Sequence, residues 1–312
     1  MSGKSLRRHG PRRLAALLAA VVLGLGGCSA LGSGGSGVVV TTNILGDITR
    51  AIVGDQAEVT VLMKPNADPH SFGISAREAA RVERAGLVVY NGLGLEEGVL
   101  RTVEAAAATG VPTLPVGERV DPIRYTGDES AGRPDPHFWT DPVRVGAAVD
   151  VIAGEIVATV PGVDEETIRR NARRYRAEID RLTASMTEQF GSIPPDRRRL
   201  VTNHHVFGYL ARRFDFEVIG AVLPSGTTLA SPSAADLERL AAAVRAAGVP
   251  VIFADSSQPD RLARVLADRA GLDVAVVPLF SESLSRPGEG AATYLDMMRA
   301  NTTAITRALA AP

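Results

Sequence analysis

The strongest constraint on the fold is a regular alternation of two sequence patterns after residue 37. Short apolar runs rich in β-branched residues, typical of buried strands, are followed by longer segments with helical spacing. In the first half, strands are predicted at Val38–Thr42, Glu58–Met63, Leu87–Asn91 and Pro112–Val116, and helices at 44–53, 76–85, 95–109 and 143–159. In the second half, strands are predicted at Leu200–Asn203, Glu217–Val222, Pro250–Ala254 and Val274–Pro278, and helices at 205–213, 233–247, 259–270 and 291–309. Such alternation indicates an α/β fold with one mostly parallel, helix-flanked sheet in each half.

The segment between the halves predicts one long helix. Residues 164–190 contain neither glycine nor proline, and their apolar residues recur on one helical face. A helix of about 25 residues is about 38 Å long. We therefore predict an N-terminal lobe at 38–163, a linking helix at 164–191 and a C-terminal lobe at 192–312. The alternative is a surface helix within one large domain.

The N-terminus has the pattern of an export signal. Residues 1–13 are basic, and Leu14–Gly27 is an apolar run of 14 residues that ends in small side chains. As a helix this run spans about 21 Å, less than the bilayer core of about 30 Å, so 1–27 is predicted to be a signal peptide and not a membrane span. No apolar run of about 18 residues occurs later in the chain.

Cys28, the only cysteine of the chain, follows this run directly. The sequence around it resembles the bacterial lipobox, in which the cysteine is acylated and becomes the mature N-terminus. The alternative is a cysteine with no role in the signal. Residues 28–37 are rich in glycine and serine and are predicted to be a flexible tether between the lipid and the folded body.

Charge excludes several classes of partner. The whole chain carries 34 Lys and Arg against 35 Asp and Glu, and the signal segment holds five of the positive charges and no acid. The mature chain therefore has 29 positive and 35 negative side chains, a net charge of −6. A mildly acidic chain argues against nucleic acid and against an anionic membrane surface as partners.

The chain has few histidines, and three of them are evenly spaced. Of five histidines, His9 lies in the predicted signal peptide. His70 and His137 each close an Asp-Pro-His tripeptide, 67 positions apart, and His204 lies another 67 positions on. Proline fixes its own φ and restricts the preceding residue, so each tripeptide presents its imidazole from a stiff loop. His70 and His204 follow predicted strands, and the carboxyl ends of strands are where open α/β sheets bind ligands.

Three imidazoles suit a transition metal such as zinc, copper, iron or nickel, whereas magnesium and calcium prefer oxygen. A tetrahedral site needs a fourth ligand. The candidates are two carboxylates that follow predicted strands of the second half, Asp255 and Glu282.

Three motifs make a family resemblance specific: DPHSF at 68–72, DPHFWTDP at 135–142 and VTNHHVFGY at 201–209. They resemble the histidine motifs of the zinc/manganese substrate-binding lipoproteins of bacterial metal ABC transporters. The similarity extends from the lipobox to about residue 310. It implies two α/β lobes that flank one backbone helix, with the metal in the cleft between them.

The resemblance also implies the ligands. His70 and His137 match the ligands of the N-terminal lobe, and His204 matches the first ligand of the C-terminal lobe. Glu282 stands where the family usually has an aspartate before Ser-Leu. His205 in place of His204, and Asp255 in place of Glu282, remain alternatives. Asp68 and Asp135 are expected to orient their loops.

The resemblance implies a high-affinity extracytoplasmic receptor that delivers a metal ion to an ABC permease and its separate ATPase subunit. The chain is expected to be a monomer, anchored to the cell membrane at Cys28, and not an enzyme. Zn²⁺ is the favoured cargo because three imidazoles and one carboxylate suit it better than Mn²⁺. A manganese or iron receptor of the same family is the alternative.

Two further hypotheses come from other functional classes. An exported zinc hydrolase would use the three histidines, an activated water and Glu282 as general base, but the sequence lacks His-Glu-x-x-His. An adhesin or structural lipoprotein would rest on the lipid anchor alone and would leave the histidines unexplained.

Overall fold

The computed structural model describes Gly3 and residues 37–126, 130–223, 226–229, 231–271 and 274–310. The predicted signal peptide, apart from Gly3, lies outside these residues, as do Cys28 and the predicted tether up to residue 36. None of the helices described is both long and apolar enough to cross a bilayer.

The first sheet has four parallel strands in the order β2-β1-β3-β4. Its central strands are buried except for Tyr90 at the end of β3, as expected for a parallel sheet covered on both faces. The strands are β1 (Val38–Val40), β2 (Val59–Val61), β3 (Leu87–Tyr90) and β4 (Thr113–Pro115). The helices of this half are α1 (Asn43–Val53), α2 (Ala76–Val82), α3 (Leu100–Ala108) and α4 (Pro142–Thr159).

The second sheet repeats the same topology in the order β6-β5-β7-β8, again with parallel pairing. The strands are β5 (Arg199–Thr202), β6 (Glu217–Ala221), β7 (Val251–Asp255) and β8 (Ala275–Leu279). With them come α6 (Gly208–Phe214), α7 (Ala234–Ala247), α8 (Arg261–Ala270) and α9 (Tyr294–Ala310). The prediction of two parallel, helix-flanked sheets is confirmed.

The linking helix is α5 (Glu165–Gly191), which is capped by the Asp164 carboxylate. The apolar face predicted from the sequence is buried: Ile168, Tyr175, Ile179, Leu182, Met186 and Phe190. At the end of the helix, the Phe190 ring lies edge-on to Phe214 and Phe216, with ring centroids 5.0 and 5.1 Å apart. Through this face one continuous hydrophobic core reaches from the first sheet into the second. The helix is therefore a packed core element that joins both halves.

Several helix boundaries differ from the prediction. α3 begins at Leu100 and not at 95, because the preceding residues form turns in which Glu96 accepts the backbone N–H groups of Asn91 and Gly92. α6 begins at Gly208 and not at 205, because residues 203–207 form an irregular loop. Both differences occur where the chain leaves a strand at the carboxyl edge of a sheet.

This edge is where the topology places ligand sites. In the first sheet the strand order reverses between β1 and β3, and in the second sheet it reverses between β5 and β7. Each sheet therefore has a topological switch point, beside β1 in one half and beside β5 in the other. Asn43 follows the carboxyl end of β1 by three residues, and His204 follows that of β5 by two. The loops that leave both sheets at this edge converge between the two halves.

We expect Phe190→Ala to destabilise the protein by about 3 to 5 kcal/mol, because it removes the ring that packs the linking helix against the second half. Urea unfolding of the soluble form that starts after Cys28 measures this change. Glu188→Ala, an exposed neighbour on the same helix, should change the free energy of unfolding by less than about 0.5 kcal/mol. Equal effects of the two substitutions would contradict a packed role for this face.

Candidate metal centre

Four side chains converge between the two halves: His70, His137, His204 and Glu282. His70 lies on the loop after β2, and His137 precedes a 3₁₀ turn at Phe138–Thr140. His204 follows β5 by two residues, and Glu282 follows β8 by three. Each half thus contributes two side chains from the carboxyl edge of its sheet, and all four are at most 1% exposed.

The potential ligand atoms form a compact set, all within 4.8 Å of one another. The Nε2 atoms of His70 and His137 are 3.4 Å apart. Glu282 Oε1 lies 3.0 Å from His204 Nε2 and 3.5 Å from His137 Nε2. Glu282 Oε2 lies 3.7 Å from His70 Nε2. Among the described residues, no other set of His, Cys, Asp or Glu side chains meets in this way.

The two Asp-Pro-His loops share one hydrogen bond, from the backbone N–H of the histidine to the aspartate carboxylate. Asp135 accepts the backbone N–H of His137 at 2.9 Å and contacts its Nδ1 at 2.8 Å, so the ring turns its Nε2 toward the other ligands. The Tyr125 hydroxyl also lies 3.2 Å from His137 Nδ1. Asp68 accepts the backbone N–H of His70 in the same way, at 2.9 Å. Both aspartates therefore orient a loop that carries a histidine, as the sequence predicted.

The centre contains buried polar atoms that no hydrogen bond satisfies. Within the described part of the chain, His204 Nε2 and both carboxylate oxygens of Glu282 have no hydrogen bond of good geometry, although Oε1 and Nε2 are 3.0 Å apart, and the Nδ1 atoms of His70 and His204 have none either. Burial of an unsatisfied polar group costs free energy, and burial of an unpaired carboxylate costs considerably more. A cation held by these atoms would remove that cost.

Glu282 and His204 form a tightly coupled pair. Burial raises the pKa of Glu282 to about 7, although the neighbouring His204 acts to lower it. Burial alone would lower the pKa of His204, but the charge and hydrogen bond of Glu282, together with the charges of Asp255 and Asp68, outweigh burial and raise it. The pair therefore retains a proton up to near-neutral pH, and a bound cation would displace that proton.

The other two imidazoles are neutral. Burial, reinforced by the neighbouring His137 and His204, lowers the pKa of His70 to about 2. Burial also lowers the pKa of His137 well below its ordinary value. Neutral imidazole is the form that binds metal ions, so both rings are ready to act as ligands at any physiological pH.

The two alternative residues lie elsewhere. His205 is partly exposed and its ring faces that of Tyr125, with centroids 6.3 Å apart. Asp255 is buried, but it accepts hydrogen bonds from the Ser257 backbone N–H at 2.7 Å and from the hydroxyls of Ser257 and Ser281. Its carboxylate therefore holds the ends of the strands together and does not join the four-residue cluster.

The sequence did not indicate which side chains connect the halves around the centre. The Asp68 carboxylate accepts hydrogen bonds from Thr228 and Gln258 of the second half, at 2.6 and 3.1 Å. Asn43, at the first position of α1, bonds to the segment that follows Glu282. The only signal available for Asn43 was its position directly after the first strand, at a switch point.

Comparison with known proteins agrees with this geometry. Residues 38–308 match the family described as "Zinc-uptake complex component A periplasmic". Zinc-binding protein TroA of Treponema pallidum is 31% identical, and the match covers 88% of each chain. Manganese ABC transporter substrate-binding lipoprotein PsaA of Streptococcus anginosus is 27% identical, over 87% of this chain and 88% of that protein.

Solved structures give the same result. The structure of the periplasmic zinc-binding protein TroA from Treponema pallidum superimposes with a TM-score of 0.80, at 28% identity, over 88% of this chain and 99% of that one. The manganese-bound periplasmic metal-binding protein from Candidatus Liberibacter asiaticus gives a TM-score of 0.76 at 27% identity, with the same coverage.

We expect Glu282→Gln to change how the stability of the metal-free protein depends on pH. A carboxyl group whose pKa is raised on folding stays protonated in the folded state while it ionises in the unfolded state, so stability falls as pH rises from about 4.5 to about 7. The raised pKa of His204 acts in the same direction, since its contribution is lost as pH rises above its ordinary value of 6.5.

Glu282→Gln removes both contributions. With chelator present, the variant should gain stability relative to the wild type between pH 5 and pH 8, by about 1 kcal/mol or more. Urea unfolding at several pH values measures this difference. The exposed Glu188→Gln serves as control and should track the wild type. A constant difference between Glu282→Gln and the wild type over this range would contradict the raised pKa.

Proposed function

Since the chain belongs to the family of periplasmic zinc-uptake components, we propose that it is a high-affinity receptor for Zn²⁺ that delivers the ion to an ABC permease. Proteins of this family are solute-binding proteins and not enzymes. The chain is therefore an extracytoplasmic metal-binding receptor of an ABC transporter, and the alternative of an exported zinc hydrolase is set aside.

The observation that carries the choice of zinc is the donor set itself: three imidazole nitrogens and one carboxylate, all at most 1% exposed. Zinc binds nitrogen and oxygen at about 2.0 to 2.2 Å, so the donors of a tetrahedral site lie about 3.3 Å apart. Four pairs of donor atoms in the centre are 3.0 to 3.7 Å apart, and the whole set lies within 4.8 Å. A tetrahedral ion therefore fits between these side chains with small adjustments.

The chemistry of the donors supports the same cargo. Three imidazole nitrogens and one carboxylate are a common zinc set, whereas manganese prefers octahedral sites rich in oxygen. Relatives of this chain include proteins named for zinc and for manganese, so Mn²⁺, or iron, is the competing cargo. An octahedral ion would need both oxygens of Glu282 and at least one further donor, and the burial of the centre leaves little room for water.

We propose that His70, His137, His204 and Glu282 are the metal ligands. His137 is oriented by Asp135, His70 lies on the loop that Asp68 fixes, and Glu282 supplies the one negative charge. One carboxylate beside three neutral imidazoles leaves a net charge of +1 on a bound divalent ion.

The location of the ligands suggests how cargo is released. Two ligands come from each half, so a bound ion cross-links the loops of both sheets. Release requires these loops to move apart, which we propose takes place when the receptor docks on its permease, with ATP hydrolysis in a separate subunit. Protonation of the Glu282–His204 pair would assist release, because protons and metal compete for the same atoms.

We propose that the receptor is a monomer, held at the membrane by a lipid on Cys28. The lipobox-like sequence supports this anchor, as does the name of the PsaA relative as a lipoprotein. We further propose the division into signal peptide (1–27), tether (28–37), N-terminal lobe (38–163), linking helix (164–191) and C-terminal lobe (192–312).

The adjacent histidines provide a sharp test of the ligand assignment. We expect His204→Ala to weaken zinc binding by at least about 100-fold, whereas His205→Ala should stay within about threefold of the wild type, since only His204 faces the other three ligands. Chelator competition and metal content by mass spectrometry measure both variants. The reverse order, or stoichiometric zinc in His204→Ala, would show that the ligand set is wrong.

The anchor is tested separately in cells. Cys28→Ala should remove the acyl chain, so the protein should leave the membrane fraction while the purified variant keeps its zinc affinity. Fractionation and labelling with a radioactive fatty acid measure the change, with Ser29→Ala as the control. Label and membrane association retained in Cys28→Ala would refute the anchor without affecting the metal site.

A further inference from the structure

The main chain around Glu282 is held on both sides by side chains of the first half. Before Glu282, the indole Nε1–H of Trp139 donates a hydrogen bond to the Ser281 carbonyl at 2.9 Å. After Glu282, the Asn43 side chain accepts the backbone N–H of Leu284 at 3.0 Å and donates to the Ser283 hydroxyl at 2.8 Å. The ligand therefore lies inside a bracket formed by Trp139 and Asn43.

Each member of this bracket also contacts a segment that carries a histidine of the first half. The Trp139 ring lies edge-on to the His137 ring, with centroids 5.2 Å apart. The backbone carbonyl of Trp139 accepts a hydrogen bond from the Tyr294 hydroxyl at 3.0 Å. Asn43 Nδ2 contacts the Lys64 carbonyl at 3.1 Å, on the segment that leads from β2 to His70. The bracket thus connects Glu282 to both histidines of the opposite half.

The hydrogen bonds of the bracket are costly to break because both side chains are buried. Trp139 is 3% exposed and Asn43 is 7% exposed, so a broken hydrogen bond would leave a buried donor or acceptor unsatisfied. Within the second half, the Ser281 hydroxyl donates to the buried Asp255 carboxylate, which fixes the same segment from the other side.

We propose that Asn43 and Trp139 are positioning residues that determine the metal selectivity of the centre. This inference rests on the proposed function. With its main chain fixed at both neighbours, Glu282 closes the cluster, whose four side chains are all at most 1% exposed. An octahedral ion needs at least one donor beyond the three imidazoles and the two carboxylate oxygens, and admitting a water to this buried centre requires the Glu282 segment to shift. The bracket opposes that shift, and so it disfavours Mn²⁺ relative to Zn²⁺.

The test compares zinc and manganese affinities of three proteins by chelator competition. Trp139→Phe removes the N–H donor but keeps an aromatic ring beside His137. Asn43→Ala removes the side-chain hydrogen bonds to Ser283 and Leu284. Each should lower the ratio of zinc to manganese affinity by about tenfold or more, chiefly through weaker zinc binding. Asn171→Ala is the matched control, because Asn171 is an equally buried asparagine that bonds to the Ile52 carbonyl, outside the centre.

A second readout separates positioning from general loss of stability. With Co²⁺ in place of zinc, the wild type and Asn171→Ala should give the intense visible absorption of a tetrahedral ion. Both bracket variants should give a weaker band, because a mobile Glu282 permits higher coordination. Asn171→Ala should lose stability and still keep the wild-type ratio and spectrum.

Should both bracket variants fail to fold, Ser283→Ala decides the question, since it removes only the hydroxyl that Asn43 contacts. It should lower the zinc-to-manganese ratio by at least about threefold. A ratio and cobalt spectrum that stay at wild-type values in the folded variants would overturn the bracket while the zinc site itself stands. A wild-type protein that binds no zinc would instead overturn the proposed function.

Discussion

The structure depends on the burial of the Glu282 carboxylate among three imidazoles. Its oxygens have no hydrogen bond of good geometry among the described residues, Oε1 lies 3.0 Å from His204 Nε2, and burial raises the pKa of the carboxyl group to about 7. Such an arrangement opposes folding of the metal-free chain unless a proton or a cation occupies it. The free energy lost in assembling the centre is therefore recovered when a cation binds, and metal affinity and fold stability are linked through the same atoms.

The two parallel sheets bring four proposed ligands from distant parts of the chain to one place. Each sheet sends its loops out at the carboxyl edge beside a switch point, and the core around the linking helix keeps the two edges facing each other. Because that core is continuous, the halves have limited freedom to separate as rigid bodies. Loop movement at the centre, around the hydrogen bonds of Asp68 to Thr228 and Gln258, is then the smaller change that could free a bound ion.

Much of the fold could be predicted because strand and helix patterns are formed by residues close together in the sequence. The alternation of strand and helix patterns gave both sheets, and the apolar face of the linking helix is buried as its spacing predicts. The repeated Asp-Pro-His tripeptide pointed to two of the four clustered residues. Helix starts at Leu100 and Gly208 were missed because the preceding turns are stabilised by contacts such as those of Glu96, which no helical spacing reveals. The bonds of Asn43 and Trp139 to the segment around Glu282 join residues more than 140 positions apart, so they depend on the tertiary fold.

The central claim is that the chain holds a preformed tetrahedral centre of three imidazoles and one carboxylate between its halves. X-ray absorption at the zinc edge, on the soluble protein loaded with one equivalent of Zn²⁺, tests this claim most directly. The account predicts four nitrogen or oxygen donors at about 2.0 Å, with the outer-shell scattering of three imidazole rings. Five or six donors, fewer than three imidazoles, or failure to retain one zinc per chain would contradict it.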